Sequence, residues 1–217
     1  FGYAAMEENT TGDNNTAMGH AVLNKNTTGA KNVSVGYAAS YCNTTGSCNT
    51  AIGADAMYAT SSGCNNTAVG ACGLFSNTTG SDSSASGYKA LTSNTTGHSN
   101  AAAGSCALLN NTTGCFNNAF GKRALRSNTT GNHNLAIGND ALYGNTTGNY
   151  NTASGYYALG VGAAGCENAA FGFKAGMGVN SGKHNSAFGF CALQASGTKC
   201  LNTAIGHKSL ASLTTGC

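Results

Sequence analysis

The chain has 217 residues, 41% of them hydrophobic but only 8% charged, and a formal net charge of +3. Its basic residues are scattered except for Lys122, Arg123 and Arg126, which speaks against nucleic-acid binding, and no apolar run approaches the length that crosses a bilayer, which speaks against membrane insertion. Proline is absent and glycine numbers 32, as suits a backbone whose amides are committed to a ladder that proline cannot join.

Stepping by 17 residues from Gly2 meets glycine without exception, at Gly19, Gly36, Gly53, Gly70, Gly87, Gly104, Gly121, Gly138, Gly155, Gly172, Gly189 and Gly206. A fixed short period means stacked units that cannot bury an apolar face alone. The sequence therefore predicts an all-β parallel solenoid, or β-roll, with one coil per 17 residues and about thirteen coils. Residues 1–217 are expected to be one continuous solenoid, a segment of a longer chain. We number phases from Phe1 as phase 1, which puts the invariant glycine at phase 2.

In chain order, coils 1 to 3 (residues 1–51) set the pattern, with Asn-Thr-Thr-Gly starting at Asn9, Asn26 and Asn43. Coil 4 replaces it with Thr60-Ser61-Ser62-Gly63. The motif returns at Asn77, Asn94, Asn111, Asn128 and Asn145, then decays to Gly162, Val179 and Ser196 while the period persists. Each coil is expected to hold two short strands, because Asn-Thr-Ala-Ile-Gly-x-x-Ala-Leu lacks helical spacing and carries frequent glycine. Phase 1 is mostly Phe, Met, Val or Ile, phase 6 mostly Leu, and phases 5 and 17 mostly Ala, so phases 1, 5, 6, 15 and 17 are expected inside. Phases 4, 8, 13 and 14 accept polar or charged residues and are expected outside.

Asparagine recurs at phase 15: Asn15, Asn32, Asn49, Asn66, Asn100, Asn117, Asn134, Asn151, Asn168, Asn185 and Asn202, with Ser83 the exception. An amide both donates and accepts, so identical residues stacked coil on coil are expected to form a ladder. The phase-9 asparagines carry two readings. As Asn-x-Thr acceptors, Asn9, Asn26, Asn43, Asn77, Asn94, Asn111, Asn128 and Asn145 are glycosylation candidates; as turn residues, they cap their own backbone.

Ten cysteines point to an oxidising, extracellular setting, at a cell or virion surface. If phases 4 and 13 flank one turn, Cys106 pairs with Cys115, Cys191 with Cys200 and Cys64 with Cys72. Cys42 and Cys48 straddle an Asn-Thr-Thr-Gly turn as a fourth candidate pair, which leaves Cys166 and Cys217 unpaired within the chain. No catalytic constellation, cofactor-binding loop or metal-ligand spacing emerges: the acidic residues and histidines sit at free phases without recurring partners.

The unit G-x-x-A-L-x-x-N-T-T-G-x-x-N-T-A-x, seen in Asn134-Leu135-Ala136-Ile137-Gly138 and Asn202-Thr203-Ala204-Ile205-Gly206, resembles repeats of phage tail-fibre and adhesin-type proteins. More distantly it is similar to the N-S-V-A-I-G repeats in the heads of trimeric autotransporter adhesins. That resemblance implies a left-handed parallel β-roll built as a homotrimer. The expected function is an extracellular structural fibre or adhesive shaft, not an enzyme, whose partners are copies of itself in a homotrimer or filament, with surface glycans as a further candidate. The alternative is an ice-binding β-solenoid presenting rows of threonine such as Thr10 and Thr11. Phase 3, with Tyr3, His20, Tyr37, Tyr88, Tyr156, Phe173, Phe190 and His207, reads either as a sugar-binding stripe or as a seam between protomers.

Overall fold

A computed structural model describes residues 1–162, 164–195, 197, 198 and 200–212, so the expectations for Ser196, Lys199 and Cys217 lie outside the described residues. The chain forms two compact units, Phe1–Thr113 and Gly114–Cys217. The first holds six three-residue strands in sequence order: β1 (Thr16–Met18), β2 (Val33–Val35), β3 (Thr50–Ile52), β4 (Thr67–Val69), β5 (Ser84–Ser86) and β6 (Ala101–Ala103). The second holds six more: β7 (Asn118–Phe120), β8 (Leu135–Ile137), β9 (Thr152–Ser154), β10 (Ala169–Phe171), β11 (Ser186–Phe188) and β12 (Thr203–Ile205). Within each unit neighbouring strands are parallel and in register one coil apart, as in Thr50↔Thr67 and Ala51↔Ala68 or Ala169↔Ser186 and Ala170↔Ala187. The fold is the parallel β-solenoid that the 17-residue period predicts.

Each coil has one strand instead of the expected two. The stretch expected to form the second strand runs through phases 4 and 6, and both take positive φ even without glycine, as at Lys89 (56°) and Leu91 (53°) or Arg123 (58°) and Leu125 (51°). Phase 14 does the same, for example at His133 (56°). A left-handed conformation costs an L-residue roughly 1–2 kcal/mol. The return is a closed coil: the phase-5 amide donates to the phase-2 carbonyl (Ala90 N to Gly87 O, 3.3 Å) and the phase-9 amide to the phase-6 carbonyl (Asn94 N to Leu91 O, 3.1 Å). Two successive tight turns thus replace a strand, and their remaining amides still bond to the next coil, as Leu91 N does to Ala107 O at 3.0 Å.

The core is narrow. Phase-17 alanines such as Ala51, Ala68 and Ala136, phase-5 alanines such as Ala56 and Ala124, and the phase-6 residues Leu23, Met57, Leu74, Leu91, Leu108 and Leu125 are fully buried. Phase 1 departs from expectation, because its large apolar side chains face outward. Ile52, Val69, Phe120, Ile137 and Phe171 are each between 40% and 44% exposed. The reason is the two-residue period of the strand: alanine at phase 17 points in, so phases 16 and 1 on either side point out. Among the positions expected outside, phase 4 is mixed, with Asp140 and Cys191 buried.

The phase-2 glycines bring consecutive coils into close contact. At Gly53, φ is +138°, and a Cβ there would lie 2.7 Å from the carbonyl carbon and oxygen of Gly70. Both the conformation and the contact exclude a side chain. Gly53→Ala is expected to destabilise the first unit by on the order of 3 kcal/mol or more, whereas Ala38→Gly, at a left-handed phase-4 position, costs little. Urea unfolding followed by circular dichroism separates the two.

Candidate functional site

The interior is lined by two asparagine ladders. At phase 9, Asn26, Asn43, Asn77, Asn94, Asn111, Asn128 and Asn145 are buried and Asn9 is half-buried. The side-chain nitrogens of Asn26, Asn43, Asn94 and Asn145 each make two bonds. Asn94 Nδ2 donates to Gly97 O in its own coil (2.9 Å) and to Asn77 Oδ1 in the coil before (2.8 Å), and Asn145 does the same to Gly148 O (3.1 Å) and Asn128 Oδ1 (2.9 Å). In the folded coil these bonds compete with glycosylation. Nδ2 is the atom that would carry the sugar, and in the folded coil it is buried with its hydrogens committed. The bond to the glycine carbonyl three residues on is the turn role that the sequence also allowed.

At phase 15, Asn32, Asn49, Asn66, Asn100, Asn117, Asn134, Asn151, Asn168, Asn185 and Asn202 are buried, and Asn15 is half-buried at the start of the row. In the first unit such a side chain ties its coil to the next. Asn49 Oδ1 accepts the backbone N–H of Asn66 at 2.9 Å, while Asn49 Nδ2 donates to Gly63 O at 2.8 Å. In the second unit a side-chain link is added, with Asn168 Nδ2 donating to Asn151 Oδ1 at 3.1 Å. Ser83 preserves part of the pattern: its amide donates to Asn66 Oδ1 (3.0 Å) and its hydroxyl accepts from Asn100 N (3.2 Å).

The cysteines do not pair as expected. None of Cys42, Cys48, Cys64, Cys72, Cys106, Cys115, Cys166, Cys191 and Cys200 is in a disulfide. None of the expected Cys106–Cys115, Cys191–Cys200, Cys64–Cys72 and Cys42–Cys48 pairs forms, and the phase-13 sulfurs lie against the backbone instead. The phase-13 sulfurs of Cys64, Cys166 and Cys200 accept the phase-13 amides of Ser47 (3.4 Å), Asn149 (3.4 Å) and Lys183 (3.3 Å) in the preceding coil. Cys42 and Cys48 bond in opposite directions, Cys42 N to Tyr58 O in the next coil and Cys48 N to Ala30 O in the previous one.

Outside, the side chains form rows with the same repeat. Aromatic rings stack at phase 3 (Tyr3, His20 and Tyr37; Tyr156, Phe173, Phe190 and His207), at phase 7 (Tyr41, Tyr58 and Phe75) and at phase 14 (Phe116, His133 and Tyr150), with centroids 4.8–5.4 Å apart. The basic cluster is tied down internally. Arg123 donates to Asp140 at 2.7 Å, Arg126 donates to the Tyr143 hydroxyl at 3.1 Å, and both guanidinium groups lie over the Tyr143 ring. The hydrogen bond to Asp140 raises the Arg123 pKa above its already high ordinary value, so its charge is fixed. Compared with known proteins, the chain matches no family model, no curated protein and no solved structure.

The phase-9 ladder breaks in coil 4, where Thr60 stands in place of asparagine. Asn43 Oδ1 and Thr60 Oγ1 are both buried without a hydrogen-bond partner. Thr60→Asn would place a donor against Asn43 and an acceptor beside Asn77, joining the two stretches of the ladder. Satisfying a buried orphan contributes about 1–3 kcal/mol, so the variant is expected to melt several degrees higher, which differential scanning calorimetry measures.

Proposed function

We propose that this chain is an extracellular structural fibre or adhesive shaft, at a cell or virion surface, that associates with copies of itself. The observation that carries the reading is the outward apolar row at phase 1, with Met18, Ile52 and Val69 in the first unit and Phe120, Ile137, Phe171 and Phe188 in the second, all at least 39% exposed. Large contiguous apolar surface on a polar chain marks an interaction face. The narrow core adds to this, since a coil whose interior is alanine, leucine and asparagine gains by burying its outer face against another copy. An interface of this kind repeats in most coils, lapsing at Ser86, Ala103 and Ser154, which suits a homotrimer or filament.

The ice-binding alternative draws on the threonine rows, and the phase-10 threonines do not support it. Their hydroxyls donate to the phase-10 carbonyl of the next coil, as Thr10 does to Thr27 O (2.8 Å) and Thr95 to Thr112 O (3.0 Å), and so are engaged within the protein. The phase-11 row, including Thr11, Thr28 and Thr45, is exposed, as are Thr16, Thr67 and Thr203 at phase 16.

Replacing Ile52, Val69, Ile137 and Phe171 together by lysine is expected to convert an oligomer into a monomer while leaving the circular dichroism spectrum unchanged, because none of the four belongs to the core. Sedimentation velocity across a range of concentrations gives the oligomeric state. A wild-type chain that stays monomeric throughout would refute self-association.

A further inference from the structure

In the first unit a groove lies between phase-3 and phase-7 side chains, with phase 4 as its floor. What stands at phase 4 decides whether it is open. Asp55, Cys72, Lys89 and Cys106 occupy that position in the later coils of the first unit, and Arg123 paired with Asp140 at 2.7 Å occupies it in the second. Only Ala4, Ala21 and Ala38 leave it clear. There the groove has a volume of about 390 Å³, within the ~300–1,000 Å³ range of small-molecule sites. Its walls are His20 and Tyr37 on one side and Glu7, Asn24, Tyr41 and Tyr58 on the other.

We propose that this groove binds a neutral saccharide. The chemistry of the lining selects the ligand. Ring faces are already used, since Tyr3, His20 and Tyr37 stack on one another at 5.3 Å and Tyr41 stacks on Tyr58 at 5.3 Å. A planar aromatic or a quaternary cation, which need an open ring face, is poorly served. The wall residues supply phenol hydroxyls, an imidazole, a carboxylate and an amide, a mixture of donors and acceptors suited to a polyol. Asn24 is only 7% exposed; its Nδ2 donates to Ala4 O (3.0 Å) and Glu7 Oε2 (2.9 Å), and its Oδ1 accepts no hydrogen bond among the described residues. That amide oxygen, on a largely buried side chain in the groove wall, is an acceptor held ready for a hydroxyl. The three alanine methyls give an apolar floor for the C–H face of a sugar ring. No lysine or arginine lines the groove and Glu7 does, which turns away acidic sugars.

The proposal rests on the adhesive part of the reading above and is independent of self-association. Lactose, cellobiose, maltose and N,N′-diacetylchitobiose, each tested by saturation-transfer NMR with the full chain, are the probes. At least one is expected to receive saturation. The double variant Ala21→Lys/Ala38→Lys fills the groove with the residue that phase 4 already carries at Lys89 and Lys174, where φ is 56° and 53° against 54° and 49° at the two alanines. It is expected to keep the wild-type melting temperature within a few degrees and to lose the signal, while Glu7→Gln weakens binding at least tenfold. Silence from all four sugars, or an undiminished signal in the filled variant, overturns the proposal. Sedimentation of the same samples keeps the two readings apart: assembly without sugar binding removes the groove alone, and sugar binding by a monomer removes self-association alone.

Discussion

The structure depends on side-chain amides that can be satisfied only by a neighbour of the same kind. Asn94 needs an asparagine at 77 to accept its proton and a glycine at 97 to leave room for its second bond; the same holds one coil further on. A Cβ at the phase-12 glycine would run into the asparagine oxygen and into the next glycine carbonyl, as at Gly80 with Asn77 and Gly97. Asparagine at phase 9 and glycine at phase 12 are therefore one device. Repetition is the direct consequence, because any coil that departs leaves two neighbours unsatisfied. Coil 4, with its orphaned Asn43 oxygen and Thr60 hydroxyl, shows the cost of one departure.

This explains what was legible in the sequence. The period, the all-β solenoid, the phase-2 glycine and the phase-15 asparagine ladder all come from interactions between identical positions one coil apart, so they leave a direct trace as repeats. The features that failed depend on geometry inside a coil. Phase 1 is apolar in most coils, and an apolar residue fits a core or an interface equally well. Its outward direction follows only once the three-residue strand is centred on the alanine at phase 17. The cysteine pairs assumed that phases 4 and 13 flank one turn, and nothing in residue type marks where a coil bends. The left-handed residues were hidden for the same reason. Leu91, Leu125 and Arg123 at positive φ carry no sign of it, because the conformation is imposed by the ladder and not chosen by the residue.

The Asn-Thr-Thr strings show how one sequence motif can carry two incompatible chemistries. As an acceptor for a glycan, the asparagine must present its Nδ2 to solvent; as a rung, it must bury the same atom. In the folded coil, burial and the hydrogen bonds make it a rung. The middle residue of the motif is also engaged, its hydroxyl bonded to the carbonyl of the next coil, as Thr129 is to Thr146 O at 3.0 Å, while the motif's own threonine at phase 11 is exposed. A motif read one residue at a time as a modification site is, read along the stack, part of the scaffold.

With the interior so constrained, the chemistry that distinguishes one coil from another is confined to the outward phases. Phase 4 shows how much freedom remains. It takes alanine, aspartate, cysteine, lysine, arginine and tyrosine, all at φ between 49° and 59°, so the backbone there is set by the ladder and the side chain is free to vary. Three consecutive alanines in the first unit floor a groove, and in the second unit an arginine followed by an aspartate fills the same phase with an ion pair. The scaffold holds position while single substitutions switch a stretch of surface between closed and open. A solenoid of this kind can therefore acquire or lose a binding site without disturbing the bonds that hold its coils together, which fits a shaft whose rigidity and recognition are carried by different residues.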